Sequence, residues 1–365
     1  MQLLPALDAG GVERSTLEIA EALVRNGHRA LVVSAGGRMQ PALEATGARH
    51  IRLDIGRKSL LTFRHVRALR RLLREERVDI VHARSRLPAW IGWLAVRGMG
   101  AAKPRFVTTV HGLNSPSRYS AIMTRGDRVI CVSQTVRDYV LRHYPRTDPA
   151  RLRVIPRGID PLHYPRRDGV DHEARSRLAE RWSQLAGEGP LLLLPGRGTR
   201  LKGHSDALRL LADLRSGGID ARLWMPGARV PERSDYIAEL ERDARDLGVI
   251  DALAISEPTQ AMAEAYRASD LVLQVSRKPE SFGRTVVEAL AIGVPVIGWD
   301  HGGVGEVLAA LQPEGRIAPG DRTALAECAR AFLQHPPALP QRIPYTLSAM
   351  QQATLDVYDE FSREQ

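Results

Sequence analysis

Short apolar runs alternate with amphipathic stretches from the start of this chain, and the same rhythm restarts near residue 190. That alternation constrains the fold more than any other feature, because it is what βαβ units and parallel sheets require. In the first half, residues 3–7, 30–34, 78–82, 106–110 and 128–132 read as strands, and 13–26 reads as a helix stopped by Gly27. In the second half, 190–194, 221–225, 252–256, 271–275 and 295–298 read as strands, with helices over 204–216 and 324–333. A chain of 365 residues is too long for one ordinary core, so two domains are expected. The polar, Pro-bearing stretch 161–181 reads as a linker, 335–340 as a break, and 347–361 as a closing helix. The expected fold class is α/β with two Rossmann-like domains, residues 1–165 and 166–335, followed by a tail 336–365. Open parallel sheets bind ligands at the carboxyl ends of their strands, so both domains are expected to aim loops into a cleft between them.

Composition narrows the function. Hydrophobic content of 44% and charged content of 26% suit a soluble globular protein, and 5% aromatics argue against a base-stacking nucleic-acid platform. The two cysteines, Cys131 and Cys328, lie in different halves without a CxxC or a His/Cys cluster, which suits a reducing compartment and gives no zinc site. No signal peptide and no apolar run of about 18 residues is visible, so a cytoplasmic protein without a membrane span is expected. The apolar stretch 87–96 is too short to span and reads as a core helix. The first strand begins almost at Met1, which reads as a truncated or misassigned start. Net charge is +10, and in residues 1–165 basic residues outnumber acidic ones about two to one, whereas the remainder is mildly acidic. The first half is therefore expected to meet an anionic surface. Along 64–74, Val66, Leu69, Leu72 and Leu73 form one helical stripe and Arg64, Arg67, Arg71 and Arg74 another. The basic stripe is either a solvated face or a contact for anionic lipid, and the charge excess favours lipid.

Three segments carry candidate chemistry. Glu280 sits in a Pro/Gly-bearing loop and Glu288 in the helix that follows, and ionised carboxylates can hold sugar hydroxyls. Between them, Ser281, Phe282, Gly283 and Thr285 bring backbone N–H groups to a helix N-terminus, where a diphosphate is favoured. Arg197 and Lys202 lie five apart in a glycine-bearing loop, so both cations can converge on one diphosphate. Gly10 and Gly11 join the first strand to the first helix at another anion-favouring N-terminus, without the G-x-G-x-x-G spacing of a dinucleotide fold. His111 closes a strand of the first domain; taken alone, such a histidine is more often structural. No D-x-D triplet occurs, so no metal site on a diphosphate is expected.

The pair Glu280 and Glu288, with the Gly196-Arg197 and Lys202-Gly203 element and the Gly10-Gly11 turn, resembles the signature of retaining glycosyltransferases of the GT-B fold, glycosyltransferase family 4. The resemblance runs over nearly the whole chain. It implies a first domain that binds an acceptor, a second that binds a nucleoside-diphosphate sugar as co-substrate, no cofactor, and a last helix crossing back to the first domain. Arg197 and Lys202 would neutralise the departing diphosphate, Glu288 would hold the donor ribose, and His111 would lie beside the transferred sugar and orient it. The element Pro156-Arg157-Gly158-Ile159-Asp160 resembles the family's P-N-G-[IV]-D, with Arg157 where asparagine is common. That element reads as structural, closing the first domain, with an arginine able to touch phosphate. The turn 299–306 resembles a family glycine-rich turn and is assigned no chemistry. The nearest subset resembles proteobacterial enzymes of lipopolysaccharide or other envelope-glycan assembly, whose acceptor would be lipid-linked. Rival readings are a nucleotide-sugar epimerase of the same fold, a nicotinamide-dependent dehydrogenase, which lacks its glycine spacing here, and a non-enzymatic basic binder of membrane or nucleic acid.

Overall fold

The computed structural model describes residues 1–8, 10–100 and 103–363, so Ala9 of the first glycine turn lies outside the described residues. The chain divides into two compact units, Met1–Gly158 with Leu347–Gln365, and Ile159–Thr346. The sequence reading put the joins at 165/166 and 335/336. The structure keeps residues 159–165 and 336–346 with the second unit, where Ile159 N donates to Tyr345 O at 3.0 Å and Ile159 bridges Thr346.

The first unit carries, among the described residues, strands β1 (Gln2–Leu3), β2 (Leu31–Ser34), β3 (Arg49–Arg52), β4 (Ile80–Ala83), β5 (Arg105–Val110), β6 (Arg128–Cys131) and β7 (Leu152–Val154). They form one parallel sheet in the order β3-β2-β1-β4-β5-β6-β7, with Leu3 opposite both Val33 and Ala83. Its helices are α1 (Gly11–Arg25), α2 (Gln40–Ala45), α3 (His65–Glu75), α4 (Arg86–Arg97) and α5 (Gln134–His143). Strand order reverses direction between β1 and β4, so right-handed crossovers place α1 and α2 on one face and α3 to α5 on the other. The first strand is shorter than expected because Pro5 has no N–H to give the ladder. β3 and β7 escaped the sequence reading. Both are edge strands, and β3 reads Arg-His-Ile-Arg without an apolar pattern.

The second unit opens with α6 (His172–Arg181), then β8 (Leu191–Leu193), α7 (His204–Ser216), β9 (Arg222–Pro226), α8 (Ser234–Asp246), β10 (Leu253–Ser256) and α9 (Met262–Ala268). It continues with β11 (Leu271–Gln274), α10 (Arg284–Ile292), β12 (Val296–Trp299), α11 (Gly302–Leu311), β13 (Arg316–Ile317) and α12 (Arg322–Gln334). These strands are parallel in the order β10-β9-β8-β11-β12-β13. Its core joins Leu192, Leu208, Leu211, Met225, Leu273 and Phe332. The stretch 161–181 is not a free linker. Asp171 caps α6 by accepting from Ala174 N at 3.0 Å, Arg175 pairs with Asp270, and Arg167 N donates to Ile292 O at 2.9 Å. Its charges are spent on fixed partners, which polar composition alone does not reveal.

The closing helix α13 (Leu347–Arg363) lies against α1 in the first unit. Met350, Leu355, Tyr358 and Phe361 join Ile19, Ala22, Val107 and Ile130 in one apolar cluster. Among the described residues, no helix is long and apolar enough to cross a membrane.

Candidate functional site

In each sheet the strand order switches direction at one place, between β8 and β11 in the second and between β1 and β4 in the first. Loops leaving the carboxyl ends of strands at such a switch diverge and leave room for a ligand. Gly10, Gly11, Arg197, Lys202 and Glu280 to Gly283 fall at these loops, whereas Thr285 and Glu288 lie in α10 and His111 follows β5, one strand away from the switch.

In the second unit, the loop after β8 is wound tightly by Thr199 N donating to Arg197 O at 2.7 Å and Lys202 N to Thr199 O at 2.9 Å. Gly203 ends it at φ 76°, and a Cβ there would stand 2.0 Å from Val275 O, so only glycine lets this loop reach the end of β11. Arg277 N donates to Leu201 O at 2.8 Å and ties the two loops together. Lys202 Nζ consequently lies 2.6 Å from Glu280 Oε1, which also accepts from Ser276 Oγ at 2.5 Å. Both members of the pair are about a quarter exposed, so they remain within reach of a solute. Arg197 is exposed on the same loop. The 299–306 turn, assigned no chemistry from sequence, shapes this site: Gly303 N donates to Glu280 O at 2.8 Å, and a Cβ on Gly303 would come within 2.4 Å of Phe282 Cα. The Glu280–Phe282 backbone is thereby held from behind. Phe282 is buried with its ring edge-on to Tyr345, Ser281 and Thr285 are half-buried, and Gly283 caps α10.

Glu288, expected to await a ribose, is already engaged. Its Oε1 accepts from Tyr164 OH at 3.0 Å and Arg284 Nε at 3.0 Å, and its Oε2 from Tyr266 OH at 2.9 Å. A carboxylate has about four lone-pair sites, so these three donors leave room on Oε2 for a further one. Burial, reinforced by the Glu288 charge, pushes the Tyr266 phenol well above its usual range, which keeps it a donor. Nothing in one dimension marks Tyr164 and Tyr266 as partners of Glu288; only the i,i+4 spacing of Arg284 and Glu288 is readable.

In the first unit, Gly10 caps α1 and Gly11 opens it. His111 follows β5, and Arg157, beyond β7, donates to both Ser15 Oγ on α1 and His111 Nδ1. A guanidinium only donates, so Nδ1 accepts and the neutral ring carries its proton on Nε2. Burial, with Arg157 and then Arg84 beside it, holds the His111 pKa well below its usual value. Arg157 thus has a role beyond the structural one read for it from sequence, fixing the tautomer of His111. Sequence reading missed Arg84 altogether, although it directly follows a strand end at the switch point. It is 3% exposed and donates from Nε to Gln2 Oε1 at 2.9 Å and from Nη1 to Ser15 Oγ at 3.4 Å. His82 on β4 is buried between Tyr358 OH and Thr109 Oγ1, both at 2.6 Å, and burial with Arg84 keeps it neutral.

These buried histidines set a pH dependence. His82 and His111 titrate well below 6.5 in the folded chain, and burial lowers His204 to about 4. Each depressed group contributes stability that is fully present above about pH 6.5 and is lost on acidification toward its folded value, because the unfolded chain takes up the proton first. Unfolding free energy should therefore fall by about 1.4 kcal/mol per pH unit for each such histidine below about pH 6.5. Denaturant titrations at a series of pH values check this; a profile flat from neutrality to about pH 5 would show that the folded chain accepts the protons.

Two parallel α/β units, with a cation–carboxylate pair and glycine-bound loops at the switch point of the second, define the GT-B class. Residues 9–162 match the family described as Glycosyltransferase Family 4, and residues 176–346 match Glycosyl transferases group 1. A glycosyltransferase structure from Rickettsia africae superposes with a TM-score of 0.86 at 25% identity, covering 100% of this chain and 98% of that one. The structure of Anabaena HepE in complex with UDP and glucose superposes at 0.81 with 20% identity, covering 98% of both chains. A D-inositol 3-phosphate glycosyltransferase of Catenulispora acidiphila is 28% identical over 72% of this chain. The chain spans 65% of that relative's length. The chain belongs to the family 4, group 1 glycosyltransferases of GT-B fold.

Proposed function

We propose that this chain is a retaining glycosyltransferase that moves a sugar from a nucleoside diphosphate to a lipid-linked or glycan acceptor in envelope-polysaccharide synthesis. The observation that carries the reading is the Lys202–Glu280 pair, held at 2.6 Å by two interlocked loops at the switch point of the group 1 domain. A diphosphate drawn to Lys202 and Arg197 would leave Glu280 to accept from hydroxyls of the sugar. The backbone of Ser281, Phe282 and Gly283 at the start of α10, with Thr285, would line the donor. Glu288 would take a ribose hydroxyl on Oε2. In the other domain, the Gly10–Gly11 turn would approach phosphate, and His111 would donate from Nε2 to a sugar or acceptor oxygen. Transfer would proceed by same-face attack: the acceptor oxygen bonds to the anomeric carbon as its bond to the diphosphate breaks, and the departing phosphate takes the acceptor proton. Lys202 and Arg197 would stabilise the charge that develops on the leaving group, so no protein nucleophile or metal is needed.

UDP is the first donor base to try, since HepE is described with UDP and glucose, and inositol phosphates join envelope glycans as acceptor probes because of the Catenulispora relative. Thermal-shift screening with UDP, GDP, ADP and their sugars should identify the donor, because a ligand at 100 times its Kd stabilises by about 2.7 kcal/mol. Transfer with that donor should be unchanged by EDTA and should retain the anomeric configuration. Loss of activity on chelation, restored by Mg²⁺, would overturn the metal-free account. Isomerisation of donor incubated alone would replace the transferase with the epimerase.

A further inference from the structure

We propose that the segment 57–64 is a wedge that seats its apolar side chains in the headgroup–acyl boundary of an anionic bilayer, an inference that rests on the lipid-linked acceptor of the reading proposed above. Leu60 is 88% exposed, Leu61 72% and Phe63 36%, three large apolar side chains within four positions. Scattered exposed leucines need no explanation, but a contiguous apolar patch marks an interaction site.

The segment is fixed. Thr62 is buried and its Oγ1 donates to Arg57 O at 2.7 Å, Ser59 Oγ accepts from Leu61 N at 3.2 Å, and Asp54 Oδ1 accepts from Arg57 N at 3.1 Å. At its base, Gly56 lies so close to Pro5 that a Cβ would stand 2.5 Å from that ring. The turn buries the Thr62 hydroxyl and holds Leu60 and Leu61 outward among exposed basic side chains. It leaves the carboxyl end of β3, at the same end of the sheet as the Gly10 turn and His111.

Charge selects the occupant. Arg57, Lys58 and Arg64 are exposed around the leucines, and Arg67 and Arg71 continue the basic rim along α3. A second copy docked isologously would set arginine against arginine, whereas anionic headgroups complement the rim while the apolar tips enter beneath them.

The test is co-sedimentation of the full chain with phosphatidylcholine vesicles, with and without phosphatidylglycerol, at low and high salt. Wild type should bind the anionic vesicles. Leu60→Ser/Leu61→Ser should lower partitioning by about tenfold or more per leucine at either salt. Arg67→Glu/Arg71→Glu should remove mainly the salt-sensitive part, since exposed charges are screened within about 8–10 Å. Leu61→Trp should add to the emission of the five native tryptophans a component that shifts to the blue on anionic vesicles alone. Donor thermal shifts should be unchanged in every variant, so a failed wedge leaves the transferase reading standing, and a failed donor screen leaves the vesicle result to be judged by itself. Equal sedimentation of wild type and Leu60→Ser/Leu61→Ser, binding by neither, or a wild-type dimer that the serine variant dissolves would overturn the proposal.

Discussion

Replacing Lys202 by alanine should lower kcat by about 10²–10³ while leaving the fold and the acceptor KM nearly unchanged. The ammonium is the cation that the structure holds against Glu280, with its stem packed near Gly196. Its pairing with Glu280 is partly exposed, and such ion pairs are worth about 0–1 kcal/mol to stability. A large loss of turnover therefore cannot be ascribed to unfolding. Charge on a departing diphosphate, by contrast, grows as the glycosidic bond breaks, and a fixed cation stabilises that state more than the bound donor. Arg197→Ala should cost less, because Arg197 is exposed and would have to be ordered by the donor itself. Glu280→Gln is the companion variant: it keeps a hydroxyl-accepting oxygen but releases Lys202, and should weaken discrimination between epimeric donor sugars. Steady-state kinetics with thermal unfolding of each variant decide the matter. A Lys202→Ala enzyme within threefold of wild type would remove Lys202 from the leaving-group role.

What the sequence showed, and what it hid, follows from the range over which each signal acts. The βαβ rhythm is local, so the buried strands β2, β5, β8 and β11 were readable as short apolar runs, as were α1 and the closing helix. The edge strand β3 lacks that pattern: it is Arg-His-Ile-Arg with two of its four residues exposed, and nothing in those letters announces a ladder. Lys202 and Glu280 were visible because each stands in a loop with glycines and charge. Their approach depends on strand order, which periodicity does not encode. The same holds for Arg84 and Arg157, which meet around Ser15 although they are far apart in the chain. The stretch 161–181 misled for a related reason. Its arginines and aspartates look solvated in one dimension, yet Arg175 finds Asp270 and Arg167 finds the carbonyl of Tyr266 at 3.3 Å in the fold. The arginine stripe of α3 was legible as a helical period, whereas the outward leucines before it were ordinary letters until a rigid turn exposed them.

Glu288→Gln should weaken donor binding by about 1.5–3 kcal/mol and also lower stability, because on the proposed reading the carboxylate would serve a ribose hydroxyl besides its partners within the domain. Within the domain it accepts from Tyr164, Tyr266 and Arg284, and glutamine keeps the shape but gives up one acceptor and the charge opposite the guanidinium. Glu288→Ala should be worse, by about 3 kcal/mol or more of stability, since it removes the carboxylate opposite the half-buried Arg284 and the oxygen to which each of the two phenols donates. Weaker nucleotide binding alone could follow from a loosened α10, so the deciding quantity is a ratio. If Oε2 takes a ribose hydroxyl, wild type should prefer the ribonucleotide over its 2′-deoxy counterpart by about tenfold or more, and Glu288→Gln should lose most of that preference. A carboxylate that only braces the helix would weaken both nucleotides equally and leave the ratio intact. Calorimetric Kd values for the pair, measured at a temperature where both proteins are folded, separate the two roles. An unchanged ratio would confine Glu288 to the tyrosine–arginine network and move ribose recognition to the Ser281–Thr285 backbone.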